Sequence, residues 1–479
     1  MAISLRKTLR NLFLLGLCLG LAACQSGAAA PQVTPGDTST LPSRTLPVPT
    51  ATPTPSPTPT ATAVPIPAAE PEELKGLELS VLHPWVNESE TAFLSLVEDF
   101  NAKNTWGIKL HPHTAGSLSA VAEALAAGDL TENLIIGNGY DLAPAAKSGG
   151  LISLTPYMRD GEYGLGDAYR ASSVFAGLAP EAGDGMDWGF LPLAYQPALI
   201  YYNQSWGKEL GFTSPPRTPA ELQAQMLPAA AEKLLDKDDT NNGAGGLWIS
   251  DSASAPLAWY QAFGGEIVLK EGVLSFNNEA FLEAVTFLKG AYAQDAAWVG
   301  AQKTPYDYFA RRQALAYEGT LEDLLAQEGY TARSESGDAF ITLPYPSPDG
   351  SGSISLETLS VGIRPGSPAE QLGAWLFARW LLSAPAQEGL VRASGCWPAA
   401  GDPAKIAPDY ASQHPAWASA LKTSARLQLA PERENWAFSR RVLQDALRRS
   451  YQLDLEYIPT VFETLDATLV ELAGGSGGE

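Results

Sequence analysis

Apolar residues alternate at Leu77, Leu79 and Val81, then recur at Phe93, Leu96, Val97 and Phe100. A period of two followed by a period near 3.6 predicts a strand and then an amphipathic helix. The loop HPWVNES separates them, and Asn87 with Glu90 predicts the helix cap. A second strand is predicted over 107–112. A third, over 134–136, is buried and ends at Gly137-Asn138-Gly139-Tyr140. Strand, helix, strand argues for an α/β sheet that takes ligands at the carboxyl ends of its strands.

The pattern is densest over 189–223. Ala198 to Tyr202 is a short apolar run bounded by Pro197 and Asn203, which predicts a buried strand. Gly211 predicts a helix stop, and Thr218-Pro219-Ala220-Glu221 predicts a capping box with proline at the first helical position. Further on, Phe281, Val285 and Leu288 share one face of a helix over 279–293. The run 341–363 predicts two strands around a polar turn. Ser367-Pro368-Ala369-Glu370 predicts a capped helix with Leu372, Trp375, Leu376 and Trp380 as its buried stripe. The rest, to Leu472, reads as helices packed on a second lobe.

Composition adds a leader and a spacer. Arg6, Lys7 and Arg10 precede an apolar segment, Leu12 to Leu21, and Leu21-Ala22-Ala23-Cys24 follows. This predicts a secretory signal over 1–23 with Cys24 as the lipidated first residue of the mature chain, anchored by acyl groups. In the linker predicted over 24–74, Gln25 to about Pro71 is rich in proline, threonine, serine and alanine, and PTATPTPSPTPTATAVPIP alternates proline with the others. Such a segment builds no core and predicts an extended spacer, reaching on the order of 140 Å. Cys396 is then the remaining thiol of the body, which leaves no internal disulfide. A net charge of −22 excludes nucleic acid as a natural partner.

Catalytic and metal constellations are weak. His111 and His113 form an isolated pair on one strand face, short of a metal site. Ser205-Trp206-Gly207-Lys208 has the S-x-x-K form without a K-T-G partner, and Gly137-x-Gly139 lacks a third glycine. Asp184 and Asp187 read as solvated loop charges. Asp238, Thr240, Asn242 and Gly243 follow a calcium loop until position twelve, where Ile249 stands in place of glutamate, so the stretch reads as a turn. Neither metal nor cofactor is expected, and no enzymatic activity. Aromatic residues carry more signal: Trp85, Tyr140, Tyr195, Trp248, Trp259 and Trp397 fall near predicted strand ends. Rings of this kind stack on the apolar faces of sugars. Asn87, Glu88, Asn138, Asp141, Gln196 and Glu318 are candidate partners for hydroxyl groups.

The 189–223 stretch resembles the signature "lPxaxxxxxlyYNkxxfxxaGxxxPPkTwxEl" of extracellular solute-binding proteins that serve carbohydrate ABC importers, the maltose-binding-like family. Leu191, Pro192, Tyr201, Tyr202, Asn203, Lys208, Gly211, Pro215, Pro216, Thr218 and Glu221 carry the match, and Pro219 replaces the usual tryptophan. Trp85, Phe100, Asn101, Asn104 and Ile108 resemble the family's opening segment, and Gly150, Leu151, Leu154 and Tyr157 its next strand and turn, although Glu132-Asn133 replace the usual Pro-Asp. Phe309, Ala314 and Gly319 resemble "FxxGkaAMxxxGsW", with Leu321 at the position of a stacking tryptophan, and SGCWPAAG resembles "tGyxPxr".

The resemblance implies an α/β, two-lobed periplasmic-binding-protein fold with three interlobe crossings. Lobe 1 would take 75–196 and 352–396; lobe 2 would take 197–351 and 397–479. It further implies capture of a sugar or oligosaccharide in the interlobe cleft and delivery to the permease subunits of an ABC transporter, by a monomer anchored outside the cytoplasm. The expected ligand-binding set is Trp85, Asn87, Glu88, Asn138, Tyr140, Tyr195, Gln196, Trp248, Trp259, Glu318 and Trp397, of which the resemblance puts Trp85, Tyr195, Trp259, Glu318 and Trp397 first. A binding protein of this fold for a non-sugar solute, and a surface glycan-binding protein or enzyme, stay open as alternatives.

Overall fold

The computed structural model describes residues 66, 69–165, 188–250, 252–270, 273–299, 304–422, 424–433 and 435–475. The leader, Cys24, most of the spacer, Asp184 and Asp187 lie outside the described residues. The strands are β1 Glu78–His83, β2 Lys109–Thr114, β3 Leu134–Asn138, β4 Leu191–Asn203, β5 Gly245–Ile249, β6 Val268–Lys270 and β7 Val273–Ser275. They continue as β8 Ala297–Val299, β9 Ala314–Thr320, β10 Phe340–Leu343, β11 Ser353–Ile363, β12 Trp397–Pro398 and β13 Arg426–Leu429.

All but β6 and β7 join in one order, β2-β1-β3-β11-β4-β9-β5-β8, with β10 and β12 on β4 and β13 on β11. Strand β4 runs through both halves of this sheet. Its residues 191–196 pair with β11, and its residues 198–203 pair with β9 and β10. Strand β11 is shared likewise: 353–356 pair with β13, and 359–363 pair with β3. Strand β12 returns against Tyr195 and Ala194 of β4. The fold is therefore two-lobed, each half-sheet carrying its own helices, with β4 and β11 running between the halves. Among the described residues, no helix is long and apolar enough to cross a membrane.

Local chemistry places these elements where the periodicities put them. The helix Asn87–Lys103 buries Phe93, Leu96, Val97 and Phe100, and Asn101 and Asn104 fasten it to β2 through the backbone of Leu110 and Ile108. Its cap differs from expectation. Val86 is the cap residue with no side-chain bond, and Asn87 is already the first helical position at φ 56°. The 341–363 strands, the helix Glu279–Ala293 and the capped helix Pro368–Trp380 appear as expected, except that Trp380 is half-buried and meets Phe100 edge-on.

The Thr218 box is complete. Glu221 N–H donates to Thr218 Oγ1 at 3.1 Å, and the Glu221 carboxylate receives the Thr218 N–H at 3.4 Å. Replacing Thr218 with alanine leaves the first turn of the helix Pro219–Leu235 uncapped. A loss of about 1 kcal/mol in a urea titration is expected, and a midpoint identical to the parent's would refute that role for the box.

Candidate functional site

Where β4 and β11 run side by side, Gln196 faces Glu357 in register. Both strands are buried along their whole length, so the Glu357 carboxylate has to find partners inside the protein. The partners come from the second lobe. Ser254, just before the helix Ala255–Ala262, donates its hydroxyl to Glu357 Oε1 at 3.0 Å. Arg440, one turn into the helix Trp436–Gln452, places Nη2 3.0 Å from the same oxygen and donates to Ser254 Oγ at 2.7 Å.

The Arg440 guanidinium also reaches the first lobe. It lies 4.6 Å above the ring of Tyr140 and donates through Nη1 to its hydroxyl. Tyr140 stands in the first turn of the helix Gly139–Lys147, beside Asp141, whose carboxylate accepts from Asn138 Nδ2 at 3.0 Å. Gln196 also bonds to Glu322. Glu322 is exposed, with protein packed around its carboxyl.

These groups feel one another. Burial pushes the Asp141 carboxyl up, while the Asn138 bond and Arg440 pull it down. Burial likewise raises the Tyr140 phenol, with Glu357 adding to the effect and Arg440 opposing it. Desolvation works against the Arg440 charge, but Glu357, Tyr140 and Asp141 more than restore it. Crowding by protein and the neighbouring Asp323 push Glu322 up to about 7. The result is an interlobe cluster of carboxylates, one guanidinium, amides and a phenol, bonded to one another here and of the kinds that accept and donate hydrogen bonds to a polar ligand.

The expected site residues divide into three groups. Asn138, Tyr140 and Gln196 belong to or adjoin this cluster. Asn87 and Glu88 are exposed at the start of their helix. The larger aromatics are enclosed: Tyr195, Trp248, Trp259 and Trp397 are each 2% exposed or less, and Trp85 packs on His83 and Phe93. Trp397 sits opposite Tyr195 in the β12–β4 pair. Trp259 and Glu318 are joined to each other, Trp259 Nε1 donating to Glu318 Oε1 at 2.5 Å while the Ser250 N–H donates to Oε2 at 2.8 Å. Burial pushes the Glu318 carboxyl up to about 7 against these two bonds.

Ser254, Glu322, Glu357 and Arg440 are the members that the sequence reading passes over. Glu357 carried a signal, a charged residue inside the apolar strand SISLETLSVGI; Arg440 carried none beyond its place on an amphipathic helix. The candidate turn at Asp238 is closed on itself, with Thr240 N–H and Oγ1 bonded to Asp238 Oδ1 and Asn241 bonded to Asp236. Ile249 lies buried in β5. Among the described residues, no group of three or more His, Cys, Asp or Glu is arranged to hold a metal ion. Ser205 of the S-x-x-K stretch accepts from the Ala339 N–H, and His111 pairs with exposed Glu78 while His113 pairs with half-buried Glu132.

Comparison with known proteins agrees with this architecture. No curated protein matches the sequence. Among solved structures, the sugar-binding protein MalE from Xanthomonas citri superposes with a TM-score of 0.67 at 18% identity, over 84% of this chain and 100% of that one. The cyclic alpha-maltosyl-1,6-maltose binding protein from Arthrobacter globiformis gives 0.65 at 16% identity, over 82% and 98%. UgpB from Mycobacterium tuberculosis, solved in complex with glycerophosphocholine, gives 0.65 at 16%, over 84% and 99%. A family profile described as bacterial extracellular solute-binding protein matches residues 95–417, well over half of the sequence. The two half-sheets, the strands shared between them and that match place the chain in the bacterial extracellular solute-binding protein family.

Proposed function

We propose that this chain captures a sugar or oligosaccharide between its lobes and delivers it to the permease of an ABC transporter. The observation that carries the reading is the polar cluster of Gln196, Glu322, Glu357, Arg440 and Tyr140, drawn from both lobes. A sugar presents hydroxyl groups that each donate and accept. Carboxylates receive the O–H donors and a guanidinium serves the oxygens, which is the mixture found here. The named ligands of MalE and the maltosyl-maltose binding protein support the same reading. Charge gives no preference for an anionic solute, since Arg440 and Arg441 are matched by Asp141 and Glu357.

The lobes we assign are 75–196 with 352–396, and 197–351 with 397–479. Ligand binding would bias an open-to-closed equilibrium about β4 and β11. Cys24 as a lipid anchor and the proline-rich spacer as a tether complete the reading, with the protein acting as a monomer on the outer face of the membrane.

Calorimetry against a panel of mono- and oligosaccharides tests it. A ligand in the micromolar range is expected, with binding weakened roughly tenfold or more by Glu322→Gln, since one charge-assisted hydrogen bond contributes about 1.5–3 kcal/mol. Glu322 is the apt position because it is open to solvent, so the fold tolerates the change. No heat with any sugar would sink the proposal. Trp259→Ala, the obvious aromatic deletion, would report on folding instead, because that ring is packed against Phe263, Phe287 and Tyr345.

A further inference from the structure

The first turn of the helix Gly139–Lys147, which belongs to the first lobe, is gripped from the second lobe at two points. One grip is Arg440, stacked on the Tyr140 ring and bonded to its hydroxyl. Tyr140 accordingly packs with the second lobe's apolar core, among residues such as Leu257, Trp259 and Trp436.

The other grip is Glu432, on the segment between β13 and the helix Trp436–Gln452. Its carboxyl accepts from Thr358 Oγ1 of β11, which is linked in turn to Ser360 Oγ at 2.9 Å. It also closes on Gly139. A Cβ at that position would stand 2.5 Å from both Glu432 Oε1 and Thr358 Oγ1, so the approach depends on glycine. Asn138, the cap residue of this helix, makes no side-chain cap bond; its amide is turned to Asp141. The first turn of the helix thus meets a carboxyl group of the other lobe, packed against Gly139.

We propose that Glu432 and Arg440 form an interlobe latch on the Gly139–Tyr140 turn, which holds the lobes together through protein contacts alone and sets the closed population before any ligand arrives. Ligand entry then requires the latch to part, and the strength of the latch sets how much of the protein is open to receive it. The latch rests on the proposed capture between the lobes for its role and shares Arg440 and Tyr140 with that site, but its test is a distance measurement without ligand, which can fail while the cargo reading stands.

Spin labels at Glu123→Cys in the first lobe and Glu463→Cys in the second, both exposed, test the idea by distance measurement. The background is the full chain with Cys18 and Cys24 replaced by serine; Cys396 is buried and stays unlabelled. The parent is expected to give one dominant distance. Glu432→Ala with Arg440→Gln is expected to add a second distance and to raise its fraction several-fold. Gly139→Ala, which leaves both grip residues in place but pushes the Glu432 carboxyl away, is expected to shift it in the same direction. A second population in either variant supports the latch. An unchanged distribution in both overturns it, and if the double variant fails to fold, Gly139→Ala decides alone.

Discussion

Glu318→Gln is expected to destabilise the protein more at pH 5 than at pH 8, by about 2–3 kcal/mol. The carboxyl is 3% exposed and pushed from 4.5 up to about 7 by burial. A group whose folded value is raised takes up a proton on folding between the two values. Its contribution is therefore fully present below pH 4.5 and is lost as pH rises through 7. Each unit of difference corresponds to about 1.4 kcal/mol, which sets the size of the effect. Glutamine does not titrate, so this dependence vanishes in the variant. At pH 8 a smaller loss remains, because one of the two donors, the Trp259 Nε1–H or the Ser250 N–H, meets an amide NH2 in place of an oxygen and costs about 1–3 kcal/mol.

The parent's own pH profile would mislead, since other groups contribute. Glu432, also raised to about 7 by burial, acts in the same direction. His83 acts in the opposite one. It is fully buried, neither ring nitrogen has a partner, and desolvation followed by the charge of His113 lowers it to about 4. Its contribution is present above pH 6.5 and lost as pH falls through 4. The difference between variant and parent cancels both, so urea titrations of the two proteins at pH 5 and pH 8 isolate Glu318. Equal losses at the two pH values would show that the carboxyl is not held neutral by its surroundings.

The same residue shows what was legible in the sequence and what was not. Capping boxes at Thr218 and Ser367, the buried face of the helix Asn87–Lys103 and the strand within 198–202 were readable because each depends on neighbours a few positions away. The extent of β4 was not readable. Its first half, Leu191 to Gln196, gains its burial from β11 and β12, which are distant in sequence. Glu357 stood out as a charge inside an apolar strand, but its partners did not. The alternation of Ile354 and Leu356 slips before Leu359 and Val361, the register of β11 on β4 shifts at Leu359, and β11 is buried along its whole length by its place between the lobes.

Aromatic residues were ambiguous for the converse reason. A tryptophan near a strand end serves equally to stack on a sugar or to fill a core, and sequence does not say which side of the sheet it faces. Trp248, Trp259 and Trp397 are all spent on packing in this conformation. The polar cluster draws Gln196, Ser254, Glu322, Glu357 and Arg440 from separate elements, and only the crossing of β4 and β11 brings them together.

That dependence makes Gly246→Ala the most damaging small substitution to be expected in the second lobe. An added Cβ would stand 1.8 Å from the Ala296 carbonyl oxygen and 2.7 Å from its carbon. Both are backbone atoms, and that oxygen already accepts the Leu247 N–H at 2.9 Å, so the neighbour cannot give way without parting β5 from β8. A loss of more than about 3 kcal/mol is expected, at the high end for overpacking. The damage would extend to the cluster. Strand β5 ends at Ile249, and the next residue, Ser250, is tied to Glu318; Ser252 and Ser254 follow, the latter holding Glu357. Gly290→Ala provides the matched control, because nothing lies within 4 Å of its added Cβ and the site is inside the helix Glu279–Ala293. There alanine is expected to stabilise by about 0.4–1 kcal/mol through the unfolded chain and helix propensity. Thermal melts of the two variants should therefore move in opposite directions from the parent. A Gly246→Ala midpoint within a degree or two of the parent's would mean that β5 and β8 can shift apart without cost, and the cluster would not depend on their packing.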